Sequence, residues 1–172
     1  MHVALMEPND PRAADQVADL CAASRSSLHL IGPIDFATRD LETREAEGEL
    51  DLWIHPDWFE FRRAIARERC YYFSAEGTKP IEEARLRATS VLMFAGSEGM
   101  PDRIKEKYPH RMYKLPASGV AGVRAVLAAA LEKTGNKAEL PVVTAGRASG
   151  ARSQASAEKK GRPRRRSGKK PG

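Results

Sequence analysis

Short apolar runs and helical repeats alternate along the first 135 residues. Val3–Met6, "LHLIGP" (28–33), "DLWIHP" (51–56), "CYYFSAEGT" (70–78), "SVLMFAG" (90–96) and "RMYKLP" (111–116) predict six strands. Asp10 caps a helix over "NDPRAADQVADLCAAS", with Pro11 at the first position, where its missing N–H has no partner to lose. Val17, Leu20 and Cys21 fall on one face of that helix. Asp57 caps a second helix, "DWFEFRRAIARE", with Trp58, Phe61 and Ile65 inward. A short helix over Pro101–Tyr108 follows, then an alanine-rich one over 119–135, ended by Gly135. Strands alternating with helices predict an α/β domain with a mostly parallel sheet. Such sheets bind ligands outside the carboxyl ends of their strands, so the turns "EPNDP", "GPIDF", "SAEGT", "AGSEGMP" and "LPASG" are where a site is expected.

With 172 residues, 41% of them hydrophobic, the chain is long enough for one well-buried core. No apolar run is long enough to span a membrane, and the N-terminus reads as a first strand rather than a leader. Cys21 and Cys70 each sit in an apolar run without metal-ligand spacing, so both are expected as buried thiols in a reducing cytoplasm, and no metal site is expected. The formal charge of +6 is unevenly placed. Residues 145–172 hold ten Lys or Arg and one acid, whereas 1–144 hold 19 Lys or Arg against 22 Asp or Glu, a net of −3. From residue 137 the apolar pattern dissolves, and "GRASGARSQASAEKKGRPRRRSGKKPG" has no aromatic or large aliphatic residue. The organisation expected is a folded domain over 1–136 and a disordered Lys/Arg-rich tail over 137–172. Within the tail, Lys159, Lys160, Arg162, Arg164, Arg165, Arg166, Lys169 and Lys170 are expected to neutralise nucleic-acid phosphates without sequence preference.

Candidate chemistry is sparse. His2, His29, His55 and His110 are scattered, with no partner at a telling spacing, and read as packed or surface residues. Neither a G-x-x-x-x-G-K-S/T loop nor a G-x-G-x-x-G turn is present, which argues against ATP, GTP and NAD by their usual routes. Glycine at strand ends remains. "FAGSEG" and "KLPASGVAG" offer exposed backbone groups that can grip a flat polar ligand, or else they are ordinary strand-to-helix connections.

The order of these segments resembles the SPOUT class of RNA methyltransferases, nearest the small bacterial tRNA wobble-nucleotide 2′-O-methyltransferases. "VALMEPNDP…VADLCAAS…LHLIGPIDF", "ELDLWIHPDWFEF", "YYFSAEGTKP", "VLMFAGSEGMPDRI" and "RMYKLPASG…AVLAAALE" carry the likeness across about residues 1–135. The resemblance implies a SPOUT-type α/β knot with a C-terminal trefoil knot, a homodimer, and S-adenosylmethionine held by backbone groups. It implies cofactor contacts from Ala75, Gly96, Glu98 and Gly99 on one wall, with Leu115, Pro116 and Ala117 on the other. It also implies that Val91–Phe94 and Met112–Leu115 are adjacent parallel strands with the last helix passed through a loop. Small side chains of the helix over 121–131 would then pack closely on the sheet.

The chain departs from the family at three motifs. Where the family has N-x-G-N-x-x-R, this chain has Ala13 through Asp19, so Asp19 replaces the arginine and would repel a phosphate. Arg12 is the candidate to stand in for it. The family's F-G-x-E-x-x-G-L/I-P is shortened here, and S-L/M-N-L/V-S-N-A is replaced by Gly119, Val120, Ala121, Gly122, Val123, Arg124 and Ala125. Two functions follow from the sequence: an S-adenosylmethionine-dependent RNA ribose 2′-O-methyltransferase, with tRNA as substrate, or a catalytically inactive relative that binds nucleic acid through its tail or serves as an interaction module.

Overall fold

The computed structural model describes residues 1–96 and 99–143. Its six strands form one parallel sheet: β1 (His2–Met6), β2 (Ser27–Ile31), β3 (Leu52–His55), β4 (Cys70–Ser74), β5 (Val91–Ala95) and β6 (Met112–Lys114), in the order β3-β2-β1-β5-β4-β6. Helices α1 (Pro11–Ser24), α2 (Arg39–Ala46) and α5 (Gly119–Lys133) cover one face, and α3 (Trp58–Ala64) and α4 (Asp102–Lys107) the other.

The strands alternate between the two layers as the pleat requires. Val3, Leu5, Tyr71, Phe73, Leu92 and Phe94 face α1 and α5, while Ala4, Met6, Cys70, Tyr72, Val91 and Met93 face α3 and α4. Both faces are dry, which is why these strands read as continuous apolar runs rather than alternating ones. Burial of each large side chain such as Leu20, Phe73 or Phe94 contributes about 1.5–3 kcal/mol. The caps stand as expected: Asp10 accepts from the N–H of Arg12, and Asp57 from those of Phe59 and Glu60. Trp58, Phe61 and Ile65 are buried, as are Cys21 and Cys70.

Three expectations are corrected. The segment 91–94 is not beside 112–115: β4 lies between them, pairing with β5 on one side and β6 on the other. All five residues of β4 are buried, so a central position satisfies it better than an edge. A helix the apolar pattern does not reveal, α2, follows β2; its one buried residue is Leu41, too few to generate a periodic signal. Residues 137–143, expected in the tail, lie against the body, with Leu140 buried in the α1–α5 layer and Ala138 and Val143 packed beside it.

The connections at the β4–β6 side are tightly wound. After β4 the chain passes to the outer side of β6, where Lys79 pairs with Tyr113, and then returns across the sheet to enter β5. Lys79 donates its N–H to the Met112 carbonyl and accepts from the N–H of Lys114 at 2.7 Å. Gly77 makes this passage possible, because a Cβ there would stand 1.9 Å from the Tyr113 carbonyl oxygen. Among the described residues no helix is long and apolar enough to cross a membrane.

Candidate functional site

The strand order reverses between β1 and β5, and a cavity opens at the carboxyl ends of these strands, where open α/β sheets bind their ligands. Its volume is about 440 Å³, within the range of small-molecule sites. The floor is Leu5, Phe73 and Phe94; one side is α1, through Ala13, Ala14 and Val17; the other is the start of α5, through Gly119, Val120 and Val123. The rim is made of strand ends: Ser74 and Ala75 after β4, Ala95, Gly96 and Gly99 after β5, and Leu115 after β6.

Four of the residues assigned to the cofactor, Ala75, Gly96, Gly99 and Leu115, therefore meet at one cavity. Gly96 and Gly99 pair across a tight turn, with the Gly99 N–H donated to the Gly96 carbonyl, and Gly99 has φ +84. A Cβ at Gly96 would lie 2.6 Å from the Glu7 carbonyl oxygen, so glycine lets the β5 turn press against the β1–α1 loop. Ala117 does not line the cavity but shapes it from behind: a Cβ at Gly122 would stand 2.0 Å from its carbonyl oxygen. Gly122 thus lets the β6–α5 turn fold tightly onto the first turn of the helix, while Ala130 is buried farther along it. Glu98 and the eight basic tail positions lie outside the described residues.

The wall is apolar, with few polar groups. Asp10 is the only ionisable side chain among the described lining residues, and its Oδ1 accepts the N–H of Arg12 at 2.9 Å. Arg12 is exposed and does not line the cavity, so it gains no support as a stand-in for the family arginine. The Ser74 carbonyl accepts from the N–H groups of Gly77 and Leu115, and its buried hydroxyl has no partner among the described residues. A flat ligand with polar edges fits this cavity: apolar faces above and below, and backbone groups and one unsatisfied hydroxyl around its margin.

Asp19 does not confront this site. It lies about 160° round the helix from the cavity face of α1, taking 100° per residue, and its carboxylate binds Arg44 Nη2 at 3.0 Å. Arg44 comes from α2 and also approaches Glu49 at 3.7 Å. The expected repulsion of a phosphate is therefore corrected: the charge is turned away and neutralised. Nearby, burial raises the Asp15 carboxyl above its ordinary pKa, a shift opposed by Arg44 and reinforced by Asp19 and Asp40.

Sequence reasoning also missed a histidine cluster. His2 Nδ1 lies 3.0 Å from His29 Nε2, and His29 Nδ1 lies 3.0 Å from His55 Nε2. Trp53 stacks on His29, while Phe61 meets His29 and His55 edge-on. Each N···N contact holds one proton between two nitrogens, and it is burial that disfavours the charged form of all three rings. Burial pushes His29 down to about 3, with His2 and His55 adding to the effect, and burial also lowers His2 and His55. The ring nitrogens face one another rather than a common centre, and no group of three or more His, Cys, Asp or Glu among the described residues could hold a metal ion. The signal in sequence was register: parallel pairing sets His29 beside Ala4 and His55 beside Ile31, on neighbouring strands.

No protein-family model matches the chain. A tRNA (cytidine(34)-2′-O)-methyltransferase of Saccharophagus degradans is 30% identical over 110 residues, 61% of this chain and 71% of that protein. The enzyme of the same name from Burkholderia ambifaria is 29% identical over 117 residues, 63% of this chain and 74% of that protein. A solved structure concerned with 2′-OH methylation of C/U34 on tRNA matches with TM-score 0.67 at 28% identity, over 77% of this chain and 94% of that one. The SpoU methyltransferase AviRb of Streptomyces viridochromogenes, in complex with AdoMet, shares the fold at TM-score 0.60 and 15% identity, over 77% of this chain and 60% of that one. The fold, the cavity at the reversal of strand order and these likenesses converge: the chain belongs to the tRNA (cytidine(34)-2′-O)-methyltransferase family of the SPOUT class.

Proposed function

We propose that the chain is an S-adenosylmethionine-dependent tRNA ribose 2′-O-methyltransferase. The observation that carries this reading is the cavity formed where the β4, β5 and β6 turns meet α1 and α5, bounded by Ala75, Gly96 and Leu115. The cofactor supplies an electrophilic methyl group on a sulfonium. Backbone groups at Ala75 and Gly96 and the Leu115 carbonyl would hold it, while Leu5, Val17, Phe94 and Val123 would exclude water around the adenosyl part. The ribose hydroxyl loses its proton as oxygen takes the methyl, so a proton acceptor within reach accelerates transfer. Asp10 is the carboxylate on the described wall, fixed by its cap bond to Arg12, and the reading assigns it that role.

The inactive alternative is not favoured by the relatives, which carry methyltransferase names. Three finer points belong to the same proposal. The passage of the 75–90 connection around the outer side of β6, where Lys79 pairs with Tyr113, supports a trefoil knot. Ala121, Ala125, Ala128 and Ala129 leave one side of α5 uncovered and low in relief, which supports a homodimer. The basic residues beyond Ala145 supply the phosphate affinity that a body of net charge −3 lacks.

Calorimetric titration of S-adenosylmethionine and of its demethylated product into the full chain tests the reading, followed by transfer of labelled methyl to bulk tRNA. Micromolar binding and labelled tRNA are expected. Asp10→Asn keeps the helix cap, so it should leave cofactor affinity within about twofold while lowering the transfer rate about 100-fold. No binding at millimolar cofactor would sink the proposal.

A further inference from the structure

We infer that Arg62, Lys107 and Arg111, gathered around the stacked rings of Tyr72 and Tyr108 on the α3–α4 face of the sheet, form a contact surface for the phosphate backbone of the RNA, separate from the cavity. The inference rests on the reading above that the substrate is RNA.

The patch is built from two stretches remote in sequence. Residues 60–69 and 102–111 each carry four Lys or Arg against two acids, within a body whose net charge is −3. Two of those acids are already engaged: Glu60 binds Arg63 at 2.8 Å, and Asp102 binds Lys105 at 2.8 Å. The sheet brings the remaining cations together. Tyr108 stacks on Tyr72 of β4, with ring centroids 5.2 Å apart. The Tyr108 ring carries two charges, the Lys107 ammonium at 5.5 Å from its centroid and the Arg111 guanidinium at 5.7 Å. Tyr72 also meets Trp58 at 6.2 Å, and Trp58 carries the Arg62 guanidinium at 5.9 Å. Arg62 Nη1 donates to Cys70 Sγ at 2.9 Å, which ties it to the first residue of β4, and Arg111 directly precedes β6. The three cations therefore stand at the amino ends of these two strands.

Aromatic faces rather than carboxylates hold these charges. Arg44, Arg63, Arg103 and Lys105 form ion pairs, but no carboxylate among the described residues pairs with Arg62, Lys107 or Arg111. A cation over a ring keeps its whole charge, so the patch retains its attraction for an anion. Arg111 Nε is buried without a partner among the described residues, which marks this guanidinium as one the fold itself leaves unsatisfied. Lys107 is exposed, and Arg62 and Arg111 are half-buried, so an extended chain of phosphates can lie across all three.

Helix α4 links the patch to the cavity. It begins three residues after Gly99 on the cavity rim, and β5 and β6 both run parallel to β4, so α4 returns toward the amino end of β6. Its six residues span about 9 Å. Arg103 and Lys105 along it are engaged with Glu7, Glu76 and Asp102, so unpaired positive charge begins at its far end, with Lys107. An RNA whose ribose enters the cavity would cross α4 to reach the patch. The contact is to phosphate, and it carries no preference for base sequence.

Binding of the full chain to bulk tRNA, followed by fluorescence anisotropy across a salt series, tests the inference. Lys107→Gln with Arg111→Gln should weaken binding about tenfold at low salt and lower the slope of log K against log salt by about 1.5. Arg25→Gln with Lys137→Gln removes the same charge from exposed positions at the ends of α1 and α5, in the opposite layer, and should change affinity less than about twofold. Arg111→Lys keeps the charge and should keep the slope. If the first double variant does not fold, exposed Lys107→Gln alone should still lower the slope by about 0.8. Equal losses in the two double variants, an unchanged slope, or no tRNA binding would overturn the inference. Titration with S-adenosylmethionine on the same chains separates the two claims. A slope lowered only at Lys107 and Arg111 without cofactor binding keeps the RNA surface and removes the methyltransferase reading; cofactor binding with equal slopes does the reverse.

Discussion

At the cavity the walls are backbone and small side chains: Ala75, Gly96, Gly99 and Gly119 at the ends of elements, with apolar residues beneath. At the β2–β3 edge of the same sheet the reverse holds, since three imidazoles and two larger rings are fitted to one another through side chains alone. The difference teaches which region tolerates sequence change. Backbone N–H and C=O groups belong to every residue, so the cavity keeps its shape although the family's polar side chains are replaced at the starts of α1 and α5. What it cannot tolerate is added volume at Gly96, where a Cβ would meet the Glu7 carbonyl oxygen, whereas Gly99 and Gly119 have open space and are constrained by positive φ instead. The histidine edge is sensitive to chemistry instead: one proton per contact is the whole allowance.

The largest effect should come from adding volume beside the cavity. Gly77→Ala would place a Cβ 1.9 Å from the Tyr113 carbonyl oxygen and 2.2 Å from its carbon, and backbone paired on both sides cannot yield. Urea denaturation should show a loss exceeding about 3 kcal/mol. Gly48→Ala is the matched control: φ is +76 but nothing lies within 4 Å, so about 1 kcal/mol is expected.

An intermediate effect should follow from protonating the histidine edge. An unfolded histidine binds its proton below about pH 6.5, whereas folded His29 resists until about 3. Between those values the unfolded state binds more protons, so stability is full above pH 6.5 and falls as pH falls. Near pH 5 the contribution of His29 to the loss is about 2 kcal/mol. Denaturation at pH 7 and pH 5 checks this, and His29→Phe should flatten the difference. An unchanged slope would separate the cluster from acid sensitivity.

The smallest effect should come from Asp19, which sequence reasoning made the most damaging departure. Asp19 is more than half exposed in its pair with Arg44, so Asp19→Ala should change stability by less than about 1 kcal/mol and leave cofactor affinity unchanged. A large loss of cofactor binding would return Asp19 to the site and contradict its outward placement.

Most elements were legible because their signals are local. Asp10 with Pro11 and Asp57 with Trp58 mark helix starts, and the apolar runs mark strands buried on both faces. Helix α2 escaped because a helix with only Leu41 buried has no apolar stripe; Gly48 just beyond it, and Asp40 and Glu42 in its first turn, were the weaker signals available. The turns at strand ends were legible as candidate walls, and the family resemblance singled out Ala75, Gly96, Gly99 and Leu115, but Asp10 was read only as a cap. Its place on the cavity wall depends on where the start of α1 sits over the sheet, which no local pattern encodes.

By itself the sequence determined the class of fold, the places where helices begin, and the separation of a mildly acidic body from a basic end, because propensity, capping and charge act over a few residues. Only the tertiary structure decided that β4 lies between β5 and β6, that Asp19 faces Arg44 rather than the cavity, that three distant histidines touch, and that the chain doubles back along α5 to Val143. These outcomes depend on which strand fills the centre of the sheet and which helix face meets it. They are settled by packing between residues remote in sequence, where one buried contact outweighs any local preference.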